Sequence, residues 1–265
     1  GKVTRWDHVV KGMRWGEDTL AIVILFVMTM LPFLASITRV LNISSIPASQ
    51  VLVQHCTLWI GFLGAVLAAR ENKLLALTRE PLFKKEEGFH FGKWIAKVTT
   101  FLVLVALSWG SWELVKVEIQ YPIDIAPNIP RWFAQFIMPL GFGLMAVQVY
   151  SNSYVKPIQR VTLIIIGLIF SISAIPEMIF DVLPAVPIGI LIIIIALLHG
   201  APIFVGLGGA AILFFWADFT PISAIPAEAY RIVVSPTLPT IPLFTLAGYL
   251  LAESKASERL VNVFR

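Results

Sequence analysis

The side chains best suited to chemistry in this sequence are four histidines, one cysteine and a few polar groups set in apolar runs. The histidines are His8, His55, His90 and His199, and none has a second ligand at metal spacing. No zinc or di-metal site follows from them. Cys56 is alone, which excludes an intramolecular disulfide and a cysteine-based zinc site. The stretch "GLGG", Gly206 to Gly209, superficially looks like a phosphate loop. It lacks the closing Lys-Ser/Thr pair and a preceding strand, so no nucleotide site is read there. Neither Gly-x-Ser-x-Gly nor His-Glu-x-x-His occurs. No catalytic residue is assigned, and an enzyme is not expected.

Other polar groups are candidates because of where they sit. His55, between Gln54 and Cys56, reads as a proton relay or ligand contact, or else as an interhelical hydrogen bond or a position near the interface, and the second reading is preferred. Glu113 lies at the outer interface if its span ends near Val115, and is a buried site candidate if the span runs to Ile119. Lys116 stands three residues on, where an i,i+3 pair would neutralise it, and a structural role is preferred. Gln135 and Gln148 read as packing donors between helices rather than substrate ligands.

The elements that must position these residues are helices in a bilayer. The chain has 265 residues, 58% hydrophobic and 14% charged, with a mean hydropathy of +0.85. A soluble domain carries about 25% charged residues. One soluble core could not bury this much apolar surface, so the expected class is an all-α, polytopic integral membrane protein. The net charge of +4 does not suggest nucleic acid, because the basic residues sit beside apolar segments rather than in one patch.

A hydrocarbon core of about 30 Å takes about 20 helical residues. By that ruler, spans are expected at 18–37, 50–69, 94–117, 132–150 and 161–180, the last bent or ended by Pro176. Two shorter runs, 188–198 and 202–216, flank "HGAP". They read as two helices joined by a tight turn, with one broken helix as the alternative. With 241–252 this gives about seven to eight apolar segments. Ahead of them, Trp6, Val9, Val10 and Met13 recur at helical spacing among Lys2, Arg5, Lys11 and Arg14. This pattern predicts an N-terminal helix lying in the headgroup layer. Small residues at Gly61, Gly64 and Ala68, and at Gly206 and Ala210, predict close helix contacts.

Lys and Arg set the orientation. The loop after the second span carries Arg70, Lys73, Arg79, Lys84, Lys85, Lys93 and Lys97, whereas the loop after the first carries Arg39 alone. The N-terminus is therefore expected in the cytoplasm, and residues 177–186 outside.

Near the end of the sequence, Pro236, Pro239 and Pro242 predict an extended lead-in to a helix capped by Thr240, with Pro242 in its first turn. An apolar run this short, 241–252, suits either a sheltered, interrupted membrane helix or a short buried packing helix.

The motif "HGAPIFVGLGGAAILFF" followed by "SPTLPTIPLFTLAGYLLAESKASERL" resembles the start of the large membrane subunit of TRAP transporters, the tripartite ATP-independent periplasmic carriers. The matching positions are Gly200, Pro202, Ile203, then Ile241, Pro242, Leu243, Phe244 and Gly248. The first 150 residues resemble the family's small subunit in span number and in the basic loop after the second span. In that family the small subunit begins and ends in the cytoplasm and the large one begins outside. A fusion then needs one extra crossing, which 161–180 supplies.

The resemblance implies residues 1–155 as a small-permease-like four-helix domain with the N-terminal amphipathic helix, 156–185 as a connecting transmembrane helix, and 186–265 as the first, incomplete part of the large-permease domain. It implies a membrane component of a sodium-gradient-driven secondary transporter in the bacterial inner membrane. Such a transporter imports organic anions, carboxylates or sialic-acid-like, delivered by a periplasmic solute-binding protein. Its other expected partners are the bilayer and the rest of the large subunit, with sodium as coupling ion and no other cofactor. The alternative is a non-transporting scaffold that anchors a partner transport subunit. The Pro-Pro-Ser-like signature of the family's hairpin loops does not occur here. The substrate- and sodium-binding residues are therefore expected beyond Arg265, and residues 1–265 are not expected to transport by themselves.

Overall fold

The computed structural model describes residues 5–42, 48–77, 86–151 and 185–254. Most of them are helical: α1 (Arg5–Val40), α2 (Ser49–Arg70), α3 (Glu86–Gln120), α4 (Arg131–Gln135), α5 (Ile137–Ser151), α6 (Ala185–Leu198), α7 (Ile203–Ala217), α8 (Ala224–Val233) and α9 (Thr240–Glu253). Four stretches are long and apolar enough to cross a membrane: Trp15–Val40, Ser49–Arg70, Gly92–Gln120 and Arg131–Ser151. They match the first four expected spans to within a few residues. The expected span at 161–180 lies outside the described residues.

Hydroxyl groups within these helices turn inward on their own backbone. Thr29 Oγ1 donates to Leu25 O at 2.8 Å, Thr57 to Val53 O at 3.0 Å, Thr100 to Ala96 O at 2.7 Å and Ser111 to Leu107 O at 2.7 Å. In a bilayer, where no water can take the proton, this i−4 bond satisfies the hydroxyl locally.

The basic segment before the first span is helical, as expected, but it is not a separate helix. α1 runs unbroken from Arg5 to Val40. Gly16, between the amphipathic turns and the apolar ones, does not interrupt the helix, and Pro32, the proline inside α1, lies far along the span. The fourth span does break. α4 ends at Gln135 and α5 starts at Ile137. Pro139 explains the break, since it offers no N–H to Gln135 O and its ring crowds that carbonyl.

Between the third and fourth spans stands a small hairpin absent from the sequence reading, β1 (Asp124–Ala126) antiparallel to β2 (Ile129–Pro130). Its turn is Pro127–Asn128, with Asn128 at φ 62°. Proline followed by a positive-φ residue is the chemistry of a type II turn. The N–H of Arg131 donates to Ile123 O at 2.8 Å and closes the hairpin.

The chain divides into two compact units. The first comprises Gly1–Gly61, Ile123–Ala134 and Tyr230–Arg265. Within it Trp59 Nε1 donates to Ala134 O at 3.0 Å, and its ring lies against Phe133. The second comprises Phe62–Pro122 and Gln135–Ala229. There α3 is the central helix. Leu104 packs with Val66, Ala69, Met145 and Ala146, while Ala96, Val103 and Leu107 pack with Ala196, Ala201 and Val205. Phe62 and Phe142 meet edge to face at 4.9 Å.

Candidate functional site

The chemistry-bearing residues are not brought together. Among the described residues no three His, Cys, Asp or Glu side chains come close enough to hold a metal ion. Glu113 and Lys116 pair at 2.8 Å with both side chains well exposed, as the i,i+3 spacing suggests. The Lys116 ammonium also lies 5.4 Å from the centre of the Trp109 ring. Gln135 and Gln148 are buried, but each Oε1 lacks a hydrogen-bond partner. Cys56 is half-buried and reduced. The side chains of His8 and His90 lie outside the described residues.

The structure joins early helices to later ones at two places, one in each unit. In the second unit the joint is built on glycine. "HGAP" ends α6 and starts α7, so the two-helix reading holds. Gly200 takes φ 94°, a backbone that disfavours any side chain. Its N–H donates to Leu197 O at 3.2 Å, and that of Ala201 reaches back to Ala196 O at 2.9 Å. Together these two bonds close the helix end in a Schellman motif. α6 and α7 then lie against each other through small residues. A Cβ built at Gly206 would sit 2.8 Å from Leu197, and one at Gly209 would sit 2.9 Å from Ile193.

α3 uses the same device toward this pair. A Cβ at Gly92 would collide with the His199 ring at the end of α6, and one at Gly110 would sit 2.9 Å from Ile222 O, in the turn between α7 and α8. His199 Nδ1 donates to Ile195 O at 2.8 Å, which holds the ring in that position. The N–H of Ile203 donates to Leu75 O at 2.8 Å and ties the start of α7 to the segment after α2. The other small-residue pattern behaves differently. Among the described residues nothing lies within 4 Å of a Cβ built at Gly61 or Gly64, so none of them makes the expected close approach along that face of α2. α2 instead packs through Phe62, Val66 and Ala69.

In the first unit the joint is a polar pair. His55 Nδ1 lies 2.7 Å from Val51 O, and Nε2 lies 2.7 Å from the hydroxyl of Tyr230 on α8. A carbonyl only accepts, so Nδ1 carries the proton. In the neutral ring Nε2 then accepts from Tyr230 O–H. The interhelical reading of His55 holds, and its partner is 175 residues away in sequence. Nothing local in the sequence identifies Tyr230 as that partner. The amphipathic character of 224–233 was the one available signal, since a helix with a half-buried tyrosine needs somewhere to place the hydroxyl.

Past α8 the proline ladder folds differently from the extended lead-in expected. Residues 236–239 form turns, with Pro239 at φ −58° and ψ −21°. Proline fixes φ near −65°, which suits the helical region as well as the extended one, and the chain takes the helical ψ. Thr240 does not cap α9. Pro239 holds that position, and the Thr240 hydroxyl donates backward to Thr237 O at 2.6 Å. Pro242 does lie in the first turn, as expected. α9 itself buries none of its residues, and Ile241, Phe244, Tyr249, Leu250 and Leu251 are exposed. An apolar helix with no covered face is built to meet other protein or lipid.

Comparison with known proteins gives these two joints a context. Residues 28–160 match the family described as "Tripartite ATP-independent periplasmic transporters, DctQ component". The chain is also similar to a protein of Oleidesulfovibrio alaskensis named "Isethionate TRAP transporter permease protein DctMQ", being 26% identical to it over 221 residues. That alignment covers 81% of this chain and 34% of the relative, so the chain spans about a third of the length of the curated relative it matches. Residues 1–160 are too few to supply 221 aligned positions, so the similarity continues past the DctQ segment into the later helices.

Proposed function

The chain belongs to the TRAP transporters, with the small membrane subunit fused to the large one, and from that premise we propose that it is the first part of a sodium-coupled importer of organic anions. It is a multi-pass membrane component of a transporter and not an enzyme. The observation that carries the proposal is the similarity to a fused permease that runs through the DctQ segment and beyond it.

In this reading residues 1–155 are the small-permease domain, 156–185 the connecting crossing, and 186–265 the first part of the large-permease domain. The N-terminus is cytoplasmic, by the excess of Lys and Arg in the loop after α2. A periplasmic solute-binding protein delivers the substrate, sodium drives its uptake, and both bind to the large-permease domain beyond Arg265. The substrate is an organic anion, carboxylate or sialic-acid-like. The relative is named for isethionate, a small organic sulfonate, and an anionic head is the feature these share. The glycine joint between α3 and α6–α7 and the His55–Tyr230 pair then serve to attach the large-permease domain to the small one.

A strain lacking the gene should fail to accumulate the labelled anion. The full-length gene should restore accumulation only when the solute-binding protein is also present. Restoration without the binding protein contradicts the tripartite reading. Unchanged uptake in the deletion strain contradicts transport itself.

A further inference from the structure

We propose that a groove on α3 and α5 is a phospholipid site, taking one acyl chain along its floor and a headgroup with both a phosphate and an ammonium at the Lys116–Glu113 pair. The groove encloses about 540 Å³ within the second unit. Its floor is made by Val105 and Ser108 of α3 and by Pro139, Gly143 and Ala146 of α5, between aromatic walls that include Trp109 and Trp112. It exists because Gly143 and Ala146 leave space where larger residues would fill it. The Ser108 hydroxyl donates to Pro139 O at 3.0 Å. The two polar groups on the floor therefore satisfy each other and present an apolar surface.

Three observations favour an acyl chain. The lining residues run from Phe101 to Trp112 on α3. At 1.5 Å per residue this is about 16 Å, close to one leaflet of a hydrocarbon core of about 30 Å. The end at Trp112 carries the features of a membrane interface, with Trp109 and Trp112 exposed and Lys116 one turn beyond. The later part of the chain packs elsewhere on α3. Ala96, Val103 and Leu107, which meet α6 and α7, lie on the opposite face from Phe101, Val105, Trp109 and Trp112. α6 and α7 therefore leave the groove open.

Charge sets the headgroup. Lys116 Nζ and Glu113 Oε1 stand 2.8 Å apart and are both accessible. A phosphate can approach the ammonium while an ammonium approaches the carboxylate, so a zwitterionic headgroup meets both charges and an anionic one meets repulsion from Glu113. The proposal rests on placement in a membrane and not on what the transporter carries.

The test uses the full-length protein in vesicles of equal phosphatidylethanolamine and phosphatidylglycerol, extracted into detergent and weighed by native mass spectrometry. Wild type should retain one phosphatidylethanolamine. A Cβ at Gly143 would lie 3.5 Å from Ser108 Oγ, an ordinary contact, so Gly143→Leu can be built and its side chain fills the groove. Gly143→Leu, and independently Ala146→Phe, should lower retention about tenfold or more, with the protein still monodisperse. Equal retention by both variants overturns the site. Equal retention of phosphatidylglycerol by wild type overturns the headgroup assignment. If neither variant folds, a photo-crosslinker replacing the exposed Val147 in the otherwise wild-type protein decides. A phospholipid adduct that survives the extraction supports the proposal, and a polypeptide adduct overturns it.

Discussion

Gly92 and Gly64 are both glycines in membrane helices, and the structure separates them. A methyl group at Gly92 would collide with the His199 ring, which its bond to Ile195 O holds in place, whereas one at Gly64 meets open space. Gly92→Ala should therefore destabilise the purified protein by about 1–3 kcal/mol, the usual cost of forcing a group into a packed site. Gly64→Ala should be neutral or stabilise by up to about 1 kcal/mol, the helix gain over glycine. Melting temperatures in one detergent would check both, and a Gly92→Ala protein as stable as wild type would contradict the packing described. The His55–Tyr230 bond is a second residue-scale test. A double-mutant cycle with His55→Leu and Tyr230→Phe should give a coupling of about 0.6 kcal/mol, and no more than about 2, as such interhelical bonds do in membranes. Zero coupling would mean that the two groups do not share the proton. Sequence spacing was enough for Glu113 and Lys116, because their contact is one helical turn. It was not enough for His55, whose partner is fixed by tertiary packing, nor for the α2 glycines, because spacing alone does not say whether another helix arrives.

Among elements, the long helices were legible because a bilayer imposes their length and the apolar runs are clear. The breaks were less so. The α6–α7 turn was readable from "HGAP", since glycine there takes a conformation few other residues accept. Gly200→Val should cost about 1–2 kcal/mol through left-handed backbone strain alone, again read as a fall in melting temperature. A change of a few tenths would show that α6 and α7 tolerate another connection. The interruption between α4 and α5 carried its cause in Pro139, yet a proline in a membrane helix is often accommodated, and composition does not say which outcome applies. The ladder of Pro236, Pro239 and Pro242 misled for a related reason. Proline restricts φ, and the choice between extended and helical ψ was made by turn bonds such as Thr240 N–H to Thr237 O at 3.2 Å.

For the whole molecule the proposed topology rests on the distribution of Lys and Arg. In a protein with Cys56 replaced by alanine, a cysteine at Asn128 in the hairpin turn should react with an impermeant maleimide added outside intact cells. One at Lys73 should react only after the membrane is opened. The reverse pattern would invert the assignment. α9 is apolar and uncovered, and in the proposed reading the large-permease domain continues from it, with the residues of transport past it. The family was legible in the motifs around Gly200 and Pro242, while the substrate was not, because no motif in the sequence marks a substrate contact.

The most direct measurement is uptake of labelled organic anions by the full-length protein in liposomes, with its solute-binding protein outside. The account predicts accumulation that needs both the binding protein and an inward sodium gradient, and that stops when the gradient is collapsed. Accumulation that persists without sodium or without the binding protein would contradict it.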